Sequence, residues 1–335
     1  MKAIDSTVER IDRFQQRHGW TAFPFAVVKK FGDDRAGNLA ALIAYYGFFS
    51  LFPLLLVLVS VLGLVLRGNP SLRASILDSA LAQFPIIGDQ IKSNVKGLTG
   101  GGAGVALGVG TITALWAGLG VTQATQNAMN DVWDVPIKGR PNFLQSRLRG
   151  LLMLLILGII VLGSTFLAGL GASTGELGVF LRVVGFAGTL LLNLAAFLIA
   201  FRVLTDKDLS WGDVFPGAAF AAVAWTILQA AGGWYITHTL KHATQVYGFF
   251  GFVLGLLAWI YLGAQVMLLG AEVNVVRTNG LWPRGLKQPP YTSADRRTLS
   301  PKADVEERVP PEDVDVSFES HGRSEDGGAA AAGGG

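Results

Sequence analysis

Six long stretches of almost unbroken apolar residues, at 39–66, 105–127, 148–170, 180–204, 214–236 and 248–276, alternate with short polar gaps. Each exceeds the roughly 20 apolar residues that carry an α-helix across about 30 Å of hydrocarbon. A soluble helix of that length turns one side to water and carries charge there; these stretches have no such side. The pattern predicts an all-α polytopic membrane protein. A cytoplasmic interfacial region at 1–38 leads into a six-helix transmembrane domain at 39–276, and a cytoplasmic tail occupies 277–335.

An even number of spans puts both termini on one side, and the basic residues say which. Of the 27 Lys and Arg, 21 fall on the side that holds the N-terminal region, the 128–149 gap, the fourth gap with Arg202 and Lys207, and the tail. The positive-inside rule makes that side cytoplasmic.

The finer pattern adds elements outside the spans. Ile4, Val8, Ile11 and Phe14 recur at helical spacing among charged residues, which predicts an amphipathic helix at the membrane surface. Lys29 and Lys30 end a second such stretch and suit an anionic leaflet as well as a docked helix. Residues 1–38 carry charge throughout and no compact apolar core, so the first span is expected to act as an uncleaved signal anchor. Pro53, inside that span, predicts a kink. Between 67 and 104, Leu72, Ile76, Ala80 and Phe84, then Ile91, Val95 and Leu98, predict two short amphipathic helices in the first extracytoplasmic loop. After Lys287 the chain turns acidic, proline-interrupted and poor in apolar residues, and disorder is expected.

Composition changes the picture little. Half of the 335 residues are hydrophobic (51%), only 15% are charged, and 43 are Gly, which suits helices packed closely in lipid. The net charge of +3 is explained at the membrane edge without nucleic acid. With zero Cys there is no disulfide, thiolate metal site or cysteine nucleophile. Gly104 and Gly108, like Gly251 and Gly255, have the spacing of close helix contacts.

Candidate chemistry is sparse. The Gly-rich run 100–104 lacks the Lys-Ser or Lys-Thr of a phosphate-binding loop, and no Gly-x-Ser-x-Gly elbow occurs. His238 and His242 are four apart but lack the glutamate of a zinc protease. Asp206, Asp208 and Asp213 read as caps in a short turn rather than a metal site. No metal, cofactor or catalytic residue is expected, and the chain reads as a non-enzyme.

The polar residues inside the spans are the stronger candidates, because polarity is costly in lipid and turns toward a bundle interior or a hydrated cavity. Tyr45, Gln123, Asn127, Asn193, Gln229, Gln265 and Glu272 are the candidate cavity-lining or transport residues. Gln123, Gln126, Asn127 and Asn130 form a polar stripe at helical spacing. The bland alternative is that such amides only bind helices together, at about 0.6–2 kcal/mol each. Glu272 is the one carboxylate inside an apolar stretch, near its cytoplasmic end, where Arg277, Arg202 or water could also satisfy it.

The sixth stretch, Tyr247-Gly-Phe-Phe-Gly-Phe-Val-Leu-Gly-Leu-Leu-Ala-Trp259-Ile-Tyr261 with Leu269-Gly-Ala-Glu272-Val-Asn274, resembles the last helix of the YihY/BrkB family of inner-membrane proteins. Asn38 to Tyr46 with Ser50-Leu-Phe-Pro53, Asn130-Asp-Val-Trp133, and Pro216-Gly217 with Trp225 fit the same family in order, and the YhjD-like branch in particular. The resemblance covers about residues 30–280 and implies an inner-membrane location. It also implies links to envelope integrity, serum resistance and lipid export; the family's old ribonuclease BN label finds no metal site or nucleic-acid surface in these residues. Two functional readings are open. One is a non-ATP-driven transporter or flippase-like protein for an amphiphilic envelope component; the other is a structural or scaffolding membrane protein. Membrane lipids are the expected partners, and nucleic acid is not.

Overall fold

The computed structural model describes residues 2–65, 103–171, 178–235, 241–288, 291–314 and 316–318. Among them the regular structure is helical throughout, with no strand. Two helices, α1 (Lys2–Arg17) and α2 (Gly19–Asp33), precede α3 (Ala36–Val65), α4 (Ala103–Val132), α5 (Phe143–Gly171), α6 (Gly178–Val203), α7 (Trp211–Tyr235) and α8 (Lys241–Asn279). A 3-10 turn at Ile137–Gly139 comes after α4, and α9 (Ser293–Asp304) lies in the tail. Helices α3 to α8 coincide with the six apolar stretches. Phe143–Ile160, Gly178–Val203, Trp211–Gly232 and Val253–Asn279 are long and apolar enough to cross a membrane, and Ala36–Leu51 is a shorter apolar segment. Pro53 lies inside α3 without ending it. The two helices expected in the 67–104 loop lie outside the described residues.

Helix α8 is the hub, packing against α7, α3, α2 and α4, while α3 pairs with α4 and α5 with α6. Its contact with α7 is made by glycines facing bulk. A Cβ on Gly232 would strike the Trp259 ring, and one on Gly263 would meet the Trp225 ring at 2.8 Å. The two indoles lie 6.2 Å apart between these points. Further along, Gly217 and Gly270 bring the two backbones together, and Asn274 Oδ1 accepts the Gly217 N–H at 2.6 Å. Such approach is how membrane helices gain packing where lipid supplies no hydrophobic drive between them. Among the described residues the expected contact at Gly108 is not made, since a Cβ there meets nothing within 4 Å.

One end of the bundle gathers the charges. Both α4 and α8 end in a left-handed residue, Asp134 (φ 52°) and Gly280 (φ 59°). In each case the next N–H reaches back five residues, Val135 to Asn130 and Leu281 to Val276, in a Schellman closure. The tail departs from expectation here. Rather than disordered chain, residues 291–314 carry α9, opened by a Thr292–Asp295 capping box and docked through buried Ala294, Asp295 and Thr298. Val305 and Glu307 accept backbone N–H bonds from Ile137 and Lys138. Composition missed this because charged partners, not apolar area, hold the segment. Residues 319–335 lie outside the described residues.

Candidate functional site

Where α2, α4, α8 and α9 converge, an ion cluster is closed off from solvent. Lys30, on α2, is fully buried; its Nζ donates to Asp34 Oδ2 at 2.6 Å and to the Val132 carbonyl at 2.9 Å. Asp134 Oδ2 lies 3.4 Å from the same nitrogen and Glu272 Oε2 3.9 Å. Lys302 of α9 pairs with the other oxygen of Asp34. Two tight turns build this arrangement: Arg35 (φ 51°) turns the chain just after Asp34, and Asp134 occupies the left-handed closure of α4. Aspartate tolerates that conformation better than most side chains, and here its carboxylate faces the lysine.

The electrostatics result from burial. Desolvation alone would lower the Lys30 ammonium, but Glu272, Asp34 and Asp134 outweigh it and hold the group above the usual lysine range. Burial pushes the Asp134 carboxyl up, aided by Asp34 and opposed by Lys30 and Lys302. Among the described residues neither Glu272 oxygen, nor Asp134 Oδ1, has a hydrogen-bond donor of its own, and Glu272 instead meets the Asp34 carboxyl. Lys30 therefore has more carboxylate oxygens around it than it can satisfy at once.

A second cluster clamps the tail. Arg284, itself buried, gives Nε to Asp295 Oδ1 at 2.9 Å and Nη1 to Asp33 Oδ2 at 2.7 Å. Lys29 Nζ lies 3.2 Å from the same Asp295 oxygen, whose partner oxygen accepts from Thr292 and Gly285. Burial opposes the charge on Asp295, yet Arg284 and these donors hold its carboxyl well below the usual range. Lys29 and Lys30 are thus paired within the protein rather than spread on a leaflet.

The predicted residues scatter. Tyr45 is exposed and meets Tyr46 edge-on and Phe49 at a tilt. The polar stripe of α4 splits into two rows. Gln123 donates to the exposed Asn127 at 3.3 Å, whereas Gln126 and Asn130 are buried. Gln126 exchanges bonds with Ser146 on α5, and Asn130 with Asp206 in the α6–α7 turn. Asn193 is half-buried with an unpartnered Nδ2, and Gln229 and Gln265 are half-buried on α7 and α8. Of the seven candidates, Glu272 alone enters the ion cluster. Its partner is Lys30, not Arg277, which donates to the Gly212 carbonyl, nor Arg202, which lies 4.4 Å from the Trp211 ring. Sequence reading singled out Lys30 for a leaflet or a docked helix but not as the partner of Glu272, and it missed Asp34, Asp134, Arg284 and Asp295 as site residues; the i,i+4 spacing of Lys30 and Asp34 was the available signal.

The aspartates of the α6–α7 turn behave as structural groups. Asp213 caps α7 through Ser210, and Asp206 pairs with Arg149 as well as Asn130. Among the described residues no group of three or more His, Cys, Asp and Glu could hold a metal ion. His238 and the side chain of His242 lie outside the described residues. A crevice of about 750 Å³ opens beside this turn, lined by Gln145, Arg149, Leu152, Arg202, Lys207 and Asp208 among others. None of the seven candidates lines it.

These features define a polytopic helical membrane protein whose hub helix is tied by an ion pair to α2, outside the bundle. The Virulence factor BrkB family matches residues 27–292, and the chain belongs to that family. It is similar to the inner membrane protein YhjD of Escherichia coli (strain K12), at 24% identity over 81% of this chain and 84% of that protein. It is also similar to the UPF0761 membrane protein PSHAa0171 of Pseudoalteromonas translucida, at 25% identity over 84% of this chain and 92% of the relative. A Bacillus subtilis protein named as ribonuclease-like, YfkH, is 25% identical over 71% of this chain and 88% of its own length. No solved structure matches. The chain is accordingly a multi-pass inner-membrane protein, as its apolar helices and the names of its relatives agree.

Proposed function

We propose that the chain is a non-ATP-driven transporter or flippase-like protein for an amphiphilic or lipid-like envelope component. In this reading six spans place both termini, and the charge-rich end, in the cytoplasm. The observation that carries it is Glu272: a carboxylate fully buried on an apolar spanning helix, without a hydrogen-bond donor of its own among the described residues and with its counter-ion 3.9 Å away on α2. Ionisable groups at such positions are costly and characteristically mark ion or proton pathways. Lys30 can draw toward Glu272 or toward Asp34 and Asp134, so a shift of α2 against α8 exchanges one pairing for another.

The test is lipid movement in proteoliposomes, using fluorescent phosphatidylglycerol and an outside quencher with and without an imposed pH gradient. Wild-type protein should speed exchange over empty vesicles, and Glu272→Gln should slow it about tenfold or more while folding normally. An unchanged rate removes the carboxylate from the mechanism, and wild type no faster than empty vesicles removes transport. The scaffolding reading draws support from the clamp of Lys29, Arg284 and Asp295, which fixes the tail to the interfacial helices. It would be favoured if deleting the chain after Lys287 impaired the cell envelope and Glu272→Gln did not.

A further inference from the structure

We infer that the crevice between α5 and the α6–α7 turn captures the phosphodiester headgroup of an anionic membrane lipid. Its volume of about 750 Å³ lies within the range of small-ligand sites. Arg149, Arg202 and Lys207 line it with Asp206 and Asp208, an excess of one positive charge that matches the single negative charge of a phosphodiester. The acids do not compete equally. Asp206 is engaged by Arg149 and twice by Asn130, which leaves Asp208 as the exposed opponent. Arg202 at the end of α6 and Lys207 in the turn are steadied without being neutralised: the Arg202 guanidinium lies 4.4 Å from the Trp211 ring centre and the Lys207 ammonium 5.4 Å from that of Trp133.

The apolar surface beside the crevice argues for a lipid over a free anion. Gln145, Arg149 and Leu152 line the crevice at spacings of four and three, so one face of α5 carries the site from the polar turn down the apolar span. Beside that row Leu148, Leu151 and Leu155 stay exposed, at 58%, 45% and 61%. An acyl chain can lie along them while the phosphate meets Arg202 and Lys207. Inorganic phosphate has no use for such a wall.

The site deepens the amphiphile reading by naming the headgroup, and rests on that reading only for the transport step after capture. Full-length protein in neutral detergent would be titrated with phosphatidylglycerol and with phosphatidylcholine, and bound lipid counted by native mass spectrometry. Wild type should prefer phosphatidylglycerol, and Arg202→Gln with Lys207→Gln should weaken that binding roughly 10- to 30-fold, leaving phosphatidylcholine unchanged. Arg147→Gln, over Phe143 and outside the crevice, should keep the preference. Millimolar inorganic phosphate should not displace the lipid; full displacement assigns a free-anion site and overturns the proposal. So does an unchanged preference in the double variant. If the double variant fails to fold, each single variant takes its place under the same criteria. Capture without flux sinks the transport reading and leaves this site standing, and flux without the headgroup preference does the reverse.

Discussion

Glu272 on the hub helix and Lys30 on α2 face each other 3.9 Å apart, both sealed from solvent, although 242 positions separate them in the chain. Lys30 is the main cation among three buried carboxylates, assisted by Lys302 at Asp34. Removing it leaves carboxylates unpaired, a change that costs about 3–5 kcal/mol where a buried ion pair is broken from one side. Lys30→Met should therefore lower the thermal midpoint in detergent sharply. Adding Glu272→Gln should recover part of the loss, with a coupling of about 0.5–3 kcal/mol in a double-mutant cycle. Additive losses would mean that the two groups do not sense each other.

Asp134 gives this cluster a pH signature. Its carboxyl is raised in the folded protein, so the folded state holds a proton that the unfolded chain releases near pH 3.9. Its contribution is fully present below that unfolded value and is lost as pH rises through the folded one. Asp134→Asn removes this slope. Above about pH 4, the variant's thermal midpoint should fall less with rising pH than that of wild type. A parallel pair of curves would exclude Asp134 as the titrating group.

Asp295 has the opposite sign. Its carboxyl is depressed, so its contribution is present above the unfolded value near 3.9 and drains away as pH falls toward the folded one. Acid should then release α9 from Arg284 and Lys29 before the bundle unfolds. At neutral pH, Asp295→Asn should cut hydrogen-exchange protection of Ser293–Asp304 about tenfold or more, as expected for lost bonds to charged groups. Protection in the spans should stay unchanged. Equal loss across the whole chain would mean that α9 is not a separable unit.

The six helices were legible in the chain because apolar runs of that length have few alternatives in any solvent. Glu272 was legible for the same reason, since a carboxylate inside such a run is conspicuous. Its partner was not. Lys30 sits in a mixed stretch whose pattern suits a leaflet and a docked helix alike, and only tertiary structure decides between them. The tail misled through composition: disorder was inferred from scarce apolar area, whereas Arg284, Asp295, Lys302 and Glu307 hold it through charge and hydrogen bonding. The amides of α4 show a third limit. Helical spacing grouped Gln123 with Gln126, yet one bonds along its own helix and the other across to Ser146.

The Gly217–Asn274 contact offers the sharpest test of the packing between α7 and α8. Asn274 is wholly buried and takes the Gly217 N–H at 2.6 Å, while a side chain on Gly217 would run into the Gly270 carbonyl. That obstacle is backbone and cannot rotate away, so the helices themselves must part. Gly217→Ala should destabilise by about 1–3 kcal/mol or more through overpacking. Asn274→Ala should cost about 1–3 kcal/mol through the lost buried bond. Because both act on one contact, the double variant should lose less than the two added together. Gly108→Ala is the matched control, since a methyl there meets nothing within 4 Å among the described residues and should change stability by no more than about 0.5 kcal/mol. Unfolding in mixed micelles reads all four. If Gly217→Ala proved as mild as Gly108→Ala, the close backbone crossing of α7 and α8 would be wrong.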